Sequence, residues 1–411
     1  MSDPFSSAPG LVVIGQGAAG TAAAKAFREA DTQTPVSIIS AESTRCYSRP
    51  RLPEVVAGQT PPENICLYPE SWYASQRIRL ILGRSATQID PFQRRIDLDD
   101  GTTMAYSKAV LATGAEATWP AIAGLPSPHV LVLRTLEDAL RLRTRAQGKR
   151  QALLIGGGLL GLEAGFALTK LGLRVTVLEA FPRLLPRQVD DEGSQLLQSC
   201  LAPIGFEFIL GSRIESIRAD ENQVDLHLAD GRVCRGELAL ISAGIMPRID
   251  LAKHSGLTVQ RGIVVDDNLK TSAEDIWAAG DVAEWRGQIA GLWPAAQAMG
   301  RIAGLNAAGG RERYQGWVPS PKLKVAGVDL WSQGNINPEG AEVLARSEKE
   351  RGTLTKLFVR ENRLAGSIQI GRSAGAVQYK RLIESGLPLG DAAPELLDEG
   401  FDFSRIPGFN A

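Results

Sequence analysis

What this sequence lacks narrows it first. Its four cysteines, Cys46, Cys66, Cys200 and Cys234, are scattered, with no CxxC or CxxxxC pair. That excludes a redox-active disulfide between near neighbours and the common zinc and iron–sulfur spacings. The three histidines, His129, His227 and His254, stand in no motif. His227 lies in the alternating run VDLHLAD and reads as a plain strand residue. No apolar stretch reaches a membrane span; residues 152–168 come closest, and they contain a glycine-rich loop and Glu163. The start, MSDPFSSAPG, lacks the apolar core of a signal peptide and reads as a frayed extension. Net charge is nearly absent too: the formal value of -1 points to neither nucleic acid nor an anionic membrane. Few, unpaired cysteines fit a reducing cytoplasm.

Glycine, in contrast, is placed with a pattern. LVVIGQGAAG carries Gly15, Gly17, Ala19 and Gly20, and ALLIGGGLLG carries Gly156, Gly158 and Gly161. Each stretch follows an apolar run of strand length and opens an Ala/Leu-rich helical stretch. Each is followed by a second apolar strand ending near an acid, Glu42 after VSIIS and Glu179 after VTVL. The first glycine allows the tight turn, the second lets backbone N–H groups meet a pyrophosphate, and the third lets helix pack on strand. The pyrophosphate sits at the helix N-terminus, and an acid about 20 residues on accepts ribose hydroxyls. Two such units in one chain predict two dinucleotide sites, and a protein with two dinucleotides moves a hydride between them.

At 411 residues the chain has room for two or three domains. After the first βαβ unit comes CYSRPRLPEVVAG, read as a loop rich in Arg and Pro. IRLILG, ATQID and RRIDLDD read as short strands, with a hairpin at Asp100-Gly101. KAVLATGA is a buried strand that runs into a small-residue turn. TLEDALRLRTRAQ reads as a helix opened by Thr135, with Asp138 completing a capping box. After the second βαβ unit, FEFILGSRIESI, QVDLHLAD and RVCRGELALISAG are again short strands, with a hairpin at Asp230-Gly231. The plan is thus duplicated. LWPAAQAMGRIAGLNAAGG reads as a helix ended by Gly309 and Gly310. KLKVAGVDLWSQG reads as one alternating strand, and TLTKLFVRENRLAGSIQIG as two strands turning near Glu361-Asn362.

On these residues the chain resembles the two-dinucleotide flavoprotein family of pyridine nucleotide–disulfide reductase fold. Within that family it is most similar to NADH:rubredoxin reductases and the flavoprotein parts of related electron-transfer systems. The matching pieces are the two glycine motifs, Tyr47-Ser48-Arg49-Pro50, Ala112-Thr113-Gly114, Leu133 to Ala139, Ala243-Gly244 and Ala279-Gly280-Asp281. The implied fold is α/β, with two Rossmann-like, glutathione-reductase-like domains for FAD and NAD and a small α+β C-terminal domain. The expected boundaries are 1–117 with 248–317 for FAD, 118–247 for NAD and 318–411 for the third domain.

The resemblance implies roles. Gly15, Gly17, Ala19 and Gly20 hold the FAD pyrophosphate, and Glu42 the adenosine ribose. Arg49 and Pro50 lie beside the flavin, with Ala112, Thr113 and Gly114 at the turn behind it. Arg134 neutralises cofactor charge, Asp281 after Gly280 takes a ribityl hydroxyl, and backbone at Ala86 and Trp293 closes over adenine and flavin. Gly244 ends the second unit's closing strand. Gly156, Gly158 and Gly161 hold NADH. Glu179 receives the ribose hydroxyls and repels a 2′-phosphate, so NADH is expected over NADPH, although Arg183 and Arg187 follow. Glu163, the expected catalytic residue, lies near the nicotinamide carboxamide and orients the ring. Two positions depart from the family pattern: Glu54, where relatives often have lysine, and Ala298-Met299, where many have Glu-Gln.

The expected activity is transfer of electrons from NADH through FAD to a rubredoxin- or ferredoxin-type protein. Arg49, Arg51, Lys322 and Lys324 are the basic groups expected to receive that acidic partner. Three alternatives stay open: a single-cysteine NADH oxidase, peroxidase or coenzyme A disulfide reductase using Cys46; an electron-transfer subunit of a larger enzyme; and a non-enzymatic NADH/FAD redox sensor.

Overall fold

Strands β1 (Gly10–Ile14) and β2 (Val36–Ser40), joined by helix α1 (Ala18–Ala30), form the first βαβ unit of a computed structural model that describes residues 9–317, 322–325, 328–398 and 400–409. The N-terminal extension lies outside the described residues. Two units are distinguished. The first holds the described residues up to Leu52, then Thr60–Thr118 and Gly244–Trp317; the second holds Pro53–Gln59, Trp119–Ala243 and the described residues beyond 317.

In the first unit, β1 and β2 run parallel with Ile14 beside Ile39. Both strands are almost wholly buried, which is why they read as continuous apolar runs and not as alternation. The Arg/Pro segment is helical, not a loop. A 3-10 turn at Arg49–Arg51 leads into α2 (Leu52–Val56), which carries the chain into the second unit. Pro50 and Pro53 sit in first turns, where a missing N–H breaks no helix bond. Then come α3 (Glu70–Ser75), β3 (Ile78–Leu82), β4 (Ala86–Asp90), β5 (Arg95–Leu98) and the long β6 (Thr103–Leu111). The sheet order is β3-β2-β1-β6-β5-β4. One end of β6 pairs parallel with β1, the other antiparallel with β5 across the turn at Gly101, φ +82°. A short strand, β7 (Ala115–Ala117), follows.

The second unit repeats the plan. It contains β8 (Val130–Val132), α4 (Leu136–Ala146), β9 (Gln151–Ile155), α5 (Leu159–Lys170), β10 (Arg174–Glu179), α6 (Asp191–Leu201) and β11 (Phe206–Leu210). Next are β12 (Ile214–Ala219), β13 (Val224–Leu228), β14 (Val233–Gly236) and β15 (Leu238–Ile241). A parallel sheet, β11-β10-β9-β15-β8, is accompanied by an antiparallel one, β12-β13-β14. FEFILGSRIESI is split at Gly211, φ +65°, into β11 and β12. Thr135 and Asp138 form the expected capping box of α4. Helix α6, capped by Asp190, was not among the expected elements.

The chain re-enters the first unit through β16 (Ile245–Pro247), which zips antiparallel to β7 with Ile245 opposite Ala117. After α7 (Asp250–His254) come β17 (Ile263–Val265), β18 (Ile276–Ala278) and β19 (Ala283–Trp285). Strand β18 extends the first sheet by pairing parallel with β6. Helix α8 (Trp293–Ala307) packs on α1 backbone to backbone: a Cβ on Gly300 or Gly304 would fall 2.1 Å from the carbonyl oxygen of Ala19 or Ala23. Buried Met299 belongs to this packing face.

The C-terminal part of the second unit is an antiparallel sheet, β20-β21-β24-β23-β22, closed by α9 (Ala376–Ser385). Its strands are β20 (Lys322–Val325), β21 (Val328–Gly334), β22 (Glu342–Glu348), β23 (Thr353–Arg360) and β24 (Arg363–Ile370). KLKVAGVDLWSQG is therefore two strands, with Val325 opposite Val328. The apolar positions change phase there, from Leu323 and Val325 to Val328 and Leu330, a sign that the reading as one alternating strand passed over. The side chains of Lys322 and Lys324 lie outside the described residues. Glu361 and Asn362, φ +50° and +57°, make the expected hairpin. Lys356 on β23 reaches Asp190 at 2.5 Å and Glu192 at 2.8 Å, tying this sheet to the start of α6.

Candidate dinucleotide sites

The two glycine loops have the same geometry. Gly15 and Gly156 have φ +106° and +105°, and a Cβ on them would fall 2.1 Å from Ala112 O and 2.3 Å from Ser242 O. A Cβ on Gly20 or Gly161 would lie 1.8 or 2.7 Å from the carbonyl oxygen of Gly15 or Gly156. These four glycines serve the protein's own packing. Gly17 and Gly158 do not: a Cβ on either meets nothing within 4 Å. They leave a backbone surface that a ligand can approach.

The helix starts behind these loops are open. Helices α1 and α5 begin at Gly17 and Gly158 with no side-chain cap and no acid in the first turn. Helix α4 has Thr135 as cap with Glu137 and Asp138, and α6 has Asp190 with Asp191 and Glu192. The first four N–H groups of a helix need acceptors, and its positive end favours an anion. Helices α8 and α9 also start without a side-chain cap or first-turn acid, so it is the open start combined with a strand and a glycine loop that fits a phosphate at α1 and α5.

The two acids are held differently. Glu179 is 8% exposed, and its oxygens accept the N–H groups of Gly157 at 2.7 Å and Phe181 at 2.9 Å. That fixes it across the carboxyl ends of β9 and β10, with lone pairs left for ribose hydroxyls. Glu42 is half-buried and accepts the Tyr47 hydroxyl at 2.5 Å and the Arg49 guanidinium at 2.6 Å. Tyr47 stood only within a motif in the sequence; no spacing rule marks a hydroxyl five residues past an acid. Arg49 turns to Glu42, and Arg51 donates to Asn64 O at 3.0 Å, so neither is a loose cation for docking. Arg183 pairs with Asp191 at 3.0 Å and also donates to Pro186 O, whereas Arg187 is exposed.

Around the first loop, Ala112 follows β6 and donates its N–H to Ile14 O, and Ala19 abuts Gly280, φ +81°, in the 3-10 turn that carries Asp281. Asp281 is therefore beside the start of α1. Gly83 N donates to Glu42 O, which brings the turn before Ala86 to the end of β2. Exposed Pro50 follows Arg49, and half-buried Trp293 opens α8. Thr113 Oγ1 donates to Arg248 O, Gly114 O accepts Arg248 N–H and Gly244 O accepts Thr118 N–H, so these residues frame the β7–β16 ribbon. Arg134 stands in the second unit just past β8, which lies two strands from β9 in the sheet, and its N–H donates to Asp138 in the capping box of α4.

Glu163, on α5, makes no hydrogen bond or ion pair among the described residues, and burial raises its carboxyl to about 7. All four cysteines are free thiols. Cys46 is 2% exposed, and burial pushes its thiol up to about 11, the opposite of an activated nucleophile. Among the described residues no cluster of His, Cys, Asp or Glu is arranged for a metal, and no helix is long and apolar enough to cross a membrane.

Residues 9–300 match the family described as "Pyridine nucleotide-disulphide oxidoreductase", so the chain belongs to that family. Residues 319–387 match the "Rubredoxin NAD+ reductase C-terminal domain". The chain is 30% identical to an NADH-rubredoxin oxidoreductase of Clostridium acetobutylicum, over 91% of this chain and 94% of that one. It is 32% identical to the assimilatory nitrate reductase electron transfer subunit of Bacillus subtilis, over 93% of this chain but 49% of that subunit, so it spans about half of that relative. A solved ferredoxin reductase from Rhodopseudomonas palustris superimposes with a TM-score of 0.83 at 28% identity, covering 94% of this chain and 98% of that one. The family uses FAD and NADH, and the two uncapped glycine-loop helices fit the pyrophosphates of both.

Proposed function

We propose that the protein is an FAD-dependent NADH oxidoreductase that delivers electrons to a small redox protein of rubredoxin or ferredoxin type. The observation that carries this is the pair of uncapped, acid-free helix starts behind matching glycine loops, in a chain with no closely spaced cysteines. FAD held at the first loop would supply the chemistry that takes a hydride from NADH and gives up electrons singly. The protein's part is to bind and orient. Gly15, Gly17, Ala19 and Gly20 take the FAD pyrophosphate, Glu42 the ribose, and Asp281 with Ala86, Pro50, Ala112, Thr113, Gly114, Gly280 and Trp293 line the remainder. Gly156, Gly158 and Gly161 take NADH, and Glu179 receives its ribose. Arg183 is committed to Asp191, which leaves it a poor clamp for a 2′-phosphate and favours NADH. Glu163, proton-bearing near neutral pH, can both donate to and accept from the carboxamide and so orient the nicotinamide. Arg134 and Arg49 neutralise charge, the latter through Glu42, and Gly244 braces the ribbon at Thr118.

The proposed functional parts are 1–117 with 248–317 for FAD, 118–247 for NAD and 318–411 as a third, whose described residues have a core around Tyr379, Leu382 and Leu396. A cytoplasmic site of action is supported by the four free thiols. The similarity to a nitrate reductase electron transfer subunit favours a second reading, in which the acceptor is a partner enzyme.

Stopped-flow reduction by NADH and NADPH, followed by mixing with rubredoxin, ferredoxin, oxygen and peroxide, tests this function. Fast bleaching by NADH and fast reoxidation by one of the two proteins is expected. Bleaching only by NADPH, or reoxidation only by peroxide, overturns it.

A further inference from the structure

One large apolar side chain in the second unit is displayed where burial would be expected. Phe181 is 58% exposed, and no ring stacks on it among the described residues. Its backbone is held firmly. The N–H donates to Glu179 Oε1 at 2.9 Å, and the carbonyl accepts from Gly211 N–H at 2.8 Å. It is thus pinned between the carboxyl ends of β10 and β11. The residues after it are anchored as well: Leu184 and Leu185 are fully buried, and Leu185 N–H donates to Gly157 O in the glycine loop at 3.2 Å. The segment has apolar residues to bury and buries them, yet leaves its aromatic outside.

Exposure alone carries nothing. Phe92 is 98% exposed in the turn that joins the antiparallel strands β4 and β5, which is no part of a parallel sheet's ligand end. Phe181 differs by its place. Ligands of parallel α/β sheets lie outside the carboxyl ends of the strands. The carboxylate that locks the Phe181 N–H is the one assigned to the adenosine ribose, and the base is attached to that sugar. A phenyl ring carried on a held backbone next to a ribose acceptor offers what an adenine ring needs, a flat apolar face close to its sugar.

We infer that Phe181 is the stacking platform for the adenine ring of the nicotinamide dinucleotide. This rests on the reading of the Gly156–Gly161 loop as the NADH site. The platform acts on binding of the adenosine half and has no part in the redox step. Base stacking on an aromatic side chain supports about a 5- to 100-fold change in Kd on truncation to alanine.

The test is calorimetric titration of the flavin-loaded protein with ADP-ribose and with AMP, compared among wild type, Phe181→Ala, Phe181→Leu and Phe181→Tyr. The expected result is binding by wild type and the tyrosine variant, with loss in the order leucine then alanine and thermal unfolding unchanged throughout. In proton NMR, the adenine H2 and H8 signals should shift upfield on binding to wild type and lose that shift with Phe181→Ala. Equal ADP-ribose affinity and equal adenine shifts in wild type and Phe181→Ala overturn the platform while leaving the site itself in place. No ADP-ribose binding by wild type overturns the reading of the loop, and the platform with it.

Discussion

Glu163 shows how one residue can trade stability against a task. Its folded carboxyl titrates near 7, above the ordinary glutamate value, because burial penalises the charge. Between the unfolded value and about 7 the folded chain holds a proton that the unfolded chain has released. Stability contributed by this group is therefore full at acid pH and falls as pH rises through that window. Glu163→Gln removes the penalty: ligand-free variant and wild type should melt together near pH 4.5, and the variant should gain about 1–3 kcal/mol above pH 7. A gap that is widest in acid would contradict the assignment. If the side chain also orients nicotinamide, glutamine preserves the hydride rate and alanine lowers it. Cys46 is the opposite case, a thiol held neutral by its surroundings. Changing Cys46 and Cys66 both to alanine should leave NADH-driven flavin bleaching and acceptor turnover intact. Loss of turnover with bleaching preserved would revive a single-cysteine mechanism.

At the scale of elements, the same three-glycine signature covers two kinds of requirement. A Cβ at Gly17 meets no protein atom within 4 Å, so Gly17→Val should fold with wild-type circular dichroism yet purify without FAD. Gly20→Ala drives a methyl into the carbonyl of Gly15 and should destabilise the first unit itself. Measuring flavin content and unfolding for the pair separates the two roles; retention of flavin by Gly17→Val would remove FAD from that loop. Both loops, their strands and acids, and the Thr135 capping box were legible because each writes its geometry locally. Helix α6 was not: its cap, Asp190, follows the turn segment FPRLLPRQVD, and its apolar face is defined by the distant strands β23 and β24. In KLKVAGVDLWSQG the slip of phase between Val325 and Val328 was the legible sign of two strands, and the reading as one strand passed over it. The Arg/Pro segment misled because proline marks a first helical turn as readily as a loop. Arg49 and Arg51 were legible as charges, but their partners Glu42 and Asn64 are fixed only by folding.

For the whole chain, the C-terminal sheet is fastened to its own unit by a nearly buried ammonium. Lys356 is 11% exposed against Asp190 and Glu192, which raise its affinity for a proton although burial, the largest influence, opposes them. Lys356→Ala leaves two carboxylates facing each other and should cost about 1–3 kcal/mol, seen as earlier proteolysis after residue 317 with flavin retained. An unchanged digestion pattern would show that apolar contact alone holds the sheet. The discontinuous first unit also sets a schedule for biosynthesis. Strand β18 pairs with β6, and β16 with β7, so the nascent sheet keeps an open edge until Ile276 has left the ribosome. At ~5–20 residues per second, the stretch from Leu111 to Ile276 occupies the ribosome for roughly ten to thirty seconds. During that interval the parallel sheet β11-β10-β9-β15-β8 can form, so strands encoded early wait for partners made after it, while the second unit is completed only by the strands beyond residue 317.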